Sequence, residues 1–222
     1  MPGPHDPPAT GLVRRLRDRG ISDPRVLEAI ASVPRHLFVP PSQREHAWED
    51  RALPIGCDQT ISQPFMVALM TQELGLSGGE RVLEVGTGSG YQTAVLSGLA
   101  REVFTVERHR SLSRVSRELL EGRLGCRNVR FLVGDGTLGW PGASPFDRIL
   151  VTAAAPDRPD SLFEQLGEGG RLVVPIGSED SQQLHVIERR GGEAVDHATV
   201  TCRFVPLVGR EGWDGHPWRA AD

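Results

Sequence analysis

Val82-Leu83-Glu84-Val85-Gly86-Thr87-Gly88-Ser89-Gly90-Tyr91 reads as a strand that breaks into alternating glycines and opens a helix. Val82 to Val85 have the character of a buried strand end, and a helical run follows over 91–100. Glycine has no Cβ, so such a turn takes positive φ and lets main chain approach a ligand closely. The helix start behind it offers unpaired N–H groups. A glycine-rich turn without a ligand is the plainer reading of the same residues.

The spacing separates ligand classes. A dinucleotide loop runs G-x-G-x-x-G, with its third glycine where this chain has the bulky Tyr91. Here the glycines run G-x-G-x-G, and Glu84 stands two residues before the first. That pattern is similar to the S-adenosylmethionine loop of class I methyltransferases. Tyr91 argues against a nicotinamide oxidoreductase.

Downstream, strands and helices alternate. Strands are expected over 81–85, 103–106, 129–133, 147–152 and 171–174. Helices are expected over 112–124, with Leu112, Val115 and Leu119 on one face, and over 162–166. The segments 183–188 and 194–204 flank Gly191-Gly192, a hairpin signal. Parallel βα units closing in an antiparallel hairpin predict an α/β, doubly wound, mostly parallel sheet. No internal repeat is visible.

Upstream the chain differs. Residues 1–10 hold four prolines and read as a disordered tail. Leu12, Val13 and Leu16 mark a short amphipathic helix that Gly20 stops. Ser22-Asp23-Pro24 starts another, with Val26, Leu27 and Ile30 as its stripe and Val33-Pro34 as its end. Residues 40–64 read as a long packed loop that carries a site. Phe65, Leu69, Met70 and Leu74 predict a helix ending at Gly75. The expected organisation is one domain over 11–208, with N-terminal helices and an active-site loop over 11–75. A Rossmann-like core spans 76–208, and a tail follows over 209–222.

Bulk composition narrows the function. A chain of 222 residues, 38% hydrophobic and 24% charged, suits a single soluble domain. Its net charge of −4 argues against a dedicated nucleic-acid binder. Arg14, Arg15, Arg17 and Arg19 read as a solvated helix face. Three cysteines without C-x-x-C, and seven histidines without ligand spacing, predict neither a disulfide framework nor a metal site. No apolar run approaches the roughly 20 residues that span a bilayer, and the Pro-rich start is no secretory leader. A cytoplasmic protein with no membrane or nucleic-acid partner is expected.

Three acids fall at the C-terminal ends of successive predicted strands, the edge where open α/β sheets bind ligands. Glu84 lies in the first. Glu107 ends the second, about 20 residues past the loop, where an acid accepts both ribose hydroxyls. Its plain alternative is a loop-capping acid. Asp135, in Gly134-Asp135-Gly136, suits an exocyclic adenine amine or an ordinary turn equally well. Ser62 precedes Pro64 at a helix start. It reads either as an N-cap or as a hydroxyl beside reacting groups, but no G-x-S-x-G marks it as a hydrolase nucleophile.

Residues 49–56, 59–64, 82–91, 106–108, 134–136, 146–147, 152–156 and 203–207 resemble, in order, the signature stretches of the protein-L-isoaspartate O-methyltransferase family. Thr60-Ile61-Ser62-Gln63-Pro64 is the most specific of them. The resemblance implies a seven-stranded sheet whose order at one edge departs from the usual class I arrangement. It implies S-adenosyl-L-methionine as cofactor, S-adenosyl-L-homocysteine as product, no metal, and isoaspartyl peptides and proteins as partners. It casts Ser62 as the active-site serine. Thr60, Ile61, Glu84, Gly86, Thr87, Gly88, Glu107, Asp135 and Gly136 become cofactor residues. Ile55, Gly56, Val205 and Pro206 become substrate contacts. A monomer is expected.

Two places depart from the family pattern. Cys57-Asp58 stand where Gly or an aromatic is frequent, and Val208 offers no polar contact where some members have one. The tail is therefore left out of the expected cofactor site. Two rivals remain at this stage: an enzyme that methylates normal aspartate in one dedicated peptide, and a cofactor-binding protein without turnover.

Overall fold

The computed structural model describes residues 8–213. The chain opens with helices α1 (Pro8–Asp18) and α2 (Pro24–Ser32). The expected disordered tail is thus corrected at Pro8–Thr10, which begin α1; residues 1–7 lie outside the described residues. Leu12 and Leu16 are buried while the arginines of α1 face out. Asp23 caps α2, its carboxylate accepting from the Arg25 and Val26 amides at 2.8 and 3.4 Å. Val33 adopts an extended conformation before Pro34 and ends that helix.

The segment expected as one irregular loop is built from regular pieces. Two 3-10 turns, Arg35–Phe38 and Pro41–His46, lead into a hairpin of β1 (Leu53–Gly56) and β2 (Gln59–Ile61). Cys57 and Asp58 form its two-residue turn, with φ of 53° and 55°. That geometry ordinarily selects Asn-Gly, which explains why the hairpin carried no sequence signal. Leu53 and Ile61 face each other and are buried, so the hairpin packs by its inner face. Helix α3 (Pro64–Leu74) follows and ends at Gly75 in a left-handed cap.

Seven strands form the main sheet: β3 (Arg81–Val85), β4 (Glu102–Glu107), β5 (Val129–Val133), β6 (Phe146–Val151), β7 (Leu166–Gly177), β8 (Gln182–Arg190) and β9 (Glu193–Cys202). Their order is β5-β4-β3-β6-β7-β8-β9. The first five are parallel, and β8 and β9 close the sheet antiparallel. The three last strands lie side by side in chain order, which is the altered edge. Helices α4 (Tyr91–Ser97), α5 (Arg110–Arg117) and α6 (Asp160–Glu164) connect strands.

Strand alternation divides the core into two layers. Val82, Val103, Leu150 and Val173 point to the side of α1–α4. Leu83, Val85, Phe104, Ile149 and Leu172 point to the side of α6. Both faces are therefore covered, as a parallel sheet requires.

Helix α5 corrects one expected face. Leu112, Ser113 and Ser116 are buried, but Val115 is 55% exposed. The inward serines have a reason: a Cβ on Gly90 would stand 3.0 Å from Ser116 Cβ and from Leu120 Cδ1. Only small residues let α5 approach the glycine loop that closely. The helix then widens into a π turn over Glu118–Arg123, which carries Leu119 and Leu120 inward.

Candidate active site

From β3 the chain runs to β4 and β5 on one side, then crosses back to place β6 on the other side of β3. The C-terminal end of β3 is therefore a topological switch point, where a crevice opens. The glycine loop lies there. Gly86 has φ +98°, and a Cβ on it would overlap Thr152 Oγ1. That hydroxyl sits at the end of β6 and donates toward the carbonyls of Val85 and Gly86, at 3.0 and 2.7 Å. Gly90, at φ +86°, precedes α4, and its amide donates to the Thr87 carbonyl at 2.8 Å.

Glu107 fixes the other side of the loop. One carboxylate oxygen accepts from the Gly88 amide and the other from the His109 amide, both at 2.8 Å. The side chain is only 5% exposed, yet it lines the cavity. Each oxygen keeps a lone pair for a ligand hydroxyl.

Glu84 behaves differently. It is fully buried beneath the loop and does not line the cavity. One oxygen accepts from the Thr93 and Thr105 hydroxyls, both at 2.6 Å, while the other is unpartnered. Thr87 joins this set through Thr105 at 2.6 Å. Burial pushes the Glu84 pKa up to about 8; the two hydroxyls oppose the shift and the charge of Glu107 adds to it.

Two cavities meet at Ser62. The first, over the glycine loop, is lined by Thr60, Ile61, Ser62, Gly86–Gly88, Glu107, Gly136, Val205 and Pro206, all singled out from sequence. The second runs toward Arg19, Asp50, Phe65 and residues 200–205. Thr60, Ser62, Thr152 and Val205 line both. Ser62 is not an N-cap: Gln63 holds that position, and the Ser62 hydroxyl makes no hydrogen bond among the described residues. Its carbonyl instead accepts from Arg35 Nη2 at 2.7 Å.

Val205 and Pro206 reach this junction because Ala154 holds them. The Ala154 amide donates to the Val205 carbonyl at 2.8 Å, and the Leu207 amide donates to the Ala154 carbonyl at 2.7 Å. Ile55 and Gly56 do not line the first cavity. Ile55 leans over the loop, its Cδ1 3.6 Å from where a Gly88 Cβ would stand.

Residues 209–213 fold back over the third acid, and residues 214–222 lie outside the described residues. Asp135 accepts from the amide and hydroxyl of Thr137 at 2.9 and 2.7 Å, and from the Arg210 amide at 2.8 Å. The Trp213 indole donates to the Ala154 carbonyl at 2.9 Å. Asp135 is thereby drawn out of the lining, while Gly136 and Val208 stay in it.

A family model described as protein-L-isoaspartate(D-aspartate) O-methyltransferase matches residues 9–212. The chain belongs to that family. A protein-L-isoaspartate O-methyltransferase of Magnetococcus marinus is 54% identical over 206 residues, spanning 92% of this chain and 90% of the relative. One of Dictyoglomus turgidum is 54% identical over 202 residues, spanning 91% of both. A solved protein-L-isoaspartate O-methyltransferase superposes with a TM-score of 0.81 at 33% identity, over 92% of this chain and 67% of that one. A Plasmodium falciparum crystal structure named for the same methyltransferase also gives 0.81, at 26% identity over 91% and 99%, and holds S-adenosyl-L-homocysteine.

Within this methyltransferase fold, sequence reasoning missed Thr152 and Arg35, and set aside Val208, which lines the cavity by its apolar side. Thr152 carried a signal, since it too ends a parallel strand at the switch point. Arg35 carried none. Among the described residues no helix is long and apolar enough to cross a membrane. No group of three or more His, Cys, Asp or Glu among them is arranged to hold a metal ion.

Proposed function

We propose that this chain transfers a methyl group from S-adenosyl-L-methionine to the free carboxylate of L-isoaspartyl residues in damaged peptides and proteins. The observation that carries the reading is the junction at Ser62, where a glycine-loop cavity and a second groove share four lining residues. A two-substrate transfer needs its donor and acceptor sites to meet at one point.

The residues fit the cofactor. Glu107 offers two acceptor oxygens, already aimed by the Gly88 and His109 amides, to a ribose diol. Gly86, Thr87 and Gly88 present main chain to the methionine part. Val106 and Gly136 wall the adenine end, which Asp135 shapes by holding Thr137 and Arg210. Thr60 and Ile61 close the cavity from the hairpin side. Glu84 acts from below, bracing Thr87 through Thr105. When bound, S-adenosyl-L-methionine supplies a methyl group on a positively charged sulfur.

The acceptor carboxylate has a reference pKa of about 3.3–3.7, so it is already an anion at neutral pH and no general base is required. The chain's task is placement. Ser62 Oγ, without a hydrogen-bond partner among the described residues, donates to the carboxylate and orients it. Val205 and Pro206, pinned by Ala154, and Ile55 and Gly56 on the hairpin offer main chain to the peptide on either side. Closing both walls removes water, which strengthens attraction between the anionic acceptor and the cationic donor. The product is a methyl ester. The next backbone nitrogen then attacks it, methanol leaves, and the succinimide hydrolyses in part to normal aspartate without the enzyme.

The test uses two synthetic peptides differing only in Asp against isoAsp, incubated with methyl-labelled cofactor. Base-labile label on the isoAsp peptide alone is expected. Equal labelling, or labelling of Asp only, would overturn the reading.

A further inference from the structure

Arg35 is an expensive residue to bury. It lies on the 3-10 turn after α2 and is wholly enclosed by the core on the helical side of the sheet. It forms no ion pair among the described residues. Burial draws its pKa down to about 10, with Tyr91 and Asp50 offsetting part of the shift, so it is a cation at neutral pH. An unpaired buried charge is destabilising, and a packed apolar side chain of similar volume is often as stable or more so. Stability alone does not account for it.

Its geometry does. Nε donates to the Ala47 carbonyl at 2.8 Å and Nη2 to the Ser62 carbonyl at 2.7 Å. The guanidinium also lies over the Tyr91 ring, 4.6 Å from its centroid. Tyr91 is the first residue of α4, directly behind the glycine loop, and lines the first cavity. Arg35 therefore touches both partners of the reaction junction: the main chain of Ser62 and the helix that carries the cofactor loop. The hairpin that leads into Ser62 has no ladder bond to the main sheet. Its distance from the loop is set by side chains, and among the described residues Arg35 is the one that bonds the Ser62 main chain. A planar fork can hold two carbonyls in fixed directions, whereas an ammonium cannot.

We infer that Arg35 is a positioning residue for methyl transfer, a buried guanidinium that fixes the Ser62 main chain against the helix behind the glycine loop. It rests on the proposed role of Ser62 and adds the element that sets the separation of acceptor and donor. Nη1 and the Tyr91 hydroxyl are both buried without hydrogen-bond partners. Tyr91 holds the guanidinium by its ring face and by the electrostatic pull of its hydroxyl on the cation, leaving the two donors that bond Ala47 and Ser62 in place.

Arg35→Lys and Arg35→Met test this, each measured beside wild type for thermal melting, S-adenosyl-L-homocysteine affinity, and kcat and KM on the isoAsp peptide. Lysine keeps the charge and loses the fork; methionine keeps the volume and loses both. Expected for both variants is a folded protein whose cofactor affinity and peptide KM stay within threefold while kcat falls at least tenfold. Arg35→Lys with kcat within threefold of wild type overturns the inference, as does a kcat loss matched by an equal loss of cofactor affinity. If both variants unfold, Arg35 is a folding determinant and the assignment falls. A wild-type chain that labels no isoAsp peptide overturns the underlying reading; an active wild type beside an equally active Arg35→Lys overturns only this one.

Discussion

The wall of the glycine-loop cavity is drawn mostly from β3, β4, β6 and the loops that leave them, whereas the groove proposed for the acceptor draws on Arg19 just past α1, the hairpin, the start of α3 and the end of β9. The first wall is held by main chain continuing the sheet, with the Glu107 and Thr152 side chains clamping the loop locally. Gly86, Thr152 and Gly134 each extend the sheet's bonding by one residue, to the carbonyls of Val106, Val85 and Glu107. The second wall is held by side chains reaching across distant sequence. Arg15 bonds the Trp48 carbonyl, Asp50 takes the Phe65 amide and the Arg19 guanidinium, and Arg35 takes Ala47 and Ser62. A donor site built this way is rigid by construction. An acceptor site built the other way stands or falls by single side chains.

The sharpest way to break the rigid half is Gly86→Ala. The backbone there is left-handed, and the new Cβ meets the hydroxyl that clamps Val85 and Gly86. A loss of about 2–4 kcal/mol in stability is expected from the combined strain and displaced clamp. Cofactor affinity should fall at least a hundredfold by calorimetry; binding within tenfold of wild type would show a pliable loop.

Ser62→Ala probes the other half. Its hydroxyl bonds no neighbour among the described residues, so folding and S-adenosyl-L-homocysteine affinity should be unchanged while kcat falls about 10- to 100-fold, the scale of one positioning contact. Unchanged turnover would remove Ser62 from the mechanism.

Glu84 gives the rigid half a pH signature. Its folded pKa, about 8, lies above the ordinary carboxylate value. Between pH 4.5 and 8 the folded state keeps a proton that the unfolded state has lost, so its contribution to stability is complete below that window. The contribution then declines as pH rises through it. In urea melts, Glu84→Gln should shrink the loss of stability between pH 5 and pH 8, by roughly 3 kcal/mol. An unchanged pH slope would mean Glu84 is ionised in the fold.

The smallest effect is at the hairpin. Asp58→Gly relieves a left-handed non-glycine residue and should raise stability by up to about 1 kcal/mol in thermal melting, since strain relief exceeds the entropy that glycine adds. A destabilised variant would show that the Asp58 side chain is used.

The same division explains what could be read from sequence. Glu107 was legible because a strand, a loop and a helix impose a fixed spacing between it and the glycines. Thr152 was accessible by the same logic. Arg35 was not: Val33-Pro34-Arg35 reads as a helix end, and nothing local marks a guanidinium that bonds residues 12 and 27 positions away. The hairpin was hidden because Cys57 and Asp58 take conformations usually given to Asn and Gly. Val115 misled because periodicity assigns apolar residues inward, while close approach to Gly90 demanded serine there.

The two-stranded sheet of β1 and β2 shares no ladder bond with the seven-stranded one. Its attachment to the rest of the fold is by side chains, Leu53 and Ile61 in the core among them. Amide hydrogen exchange should therefore show two tiers of protection. The amides of β3, β4 and β6 would exchange only through global opening, and those of the hairpin through a local event of lower free energy. In such a molecule the surface that receives damaged chains loosens and re-forms while the donor platform stays intact.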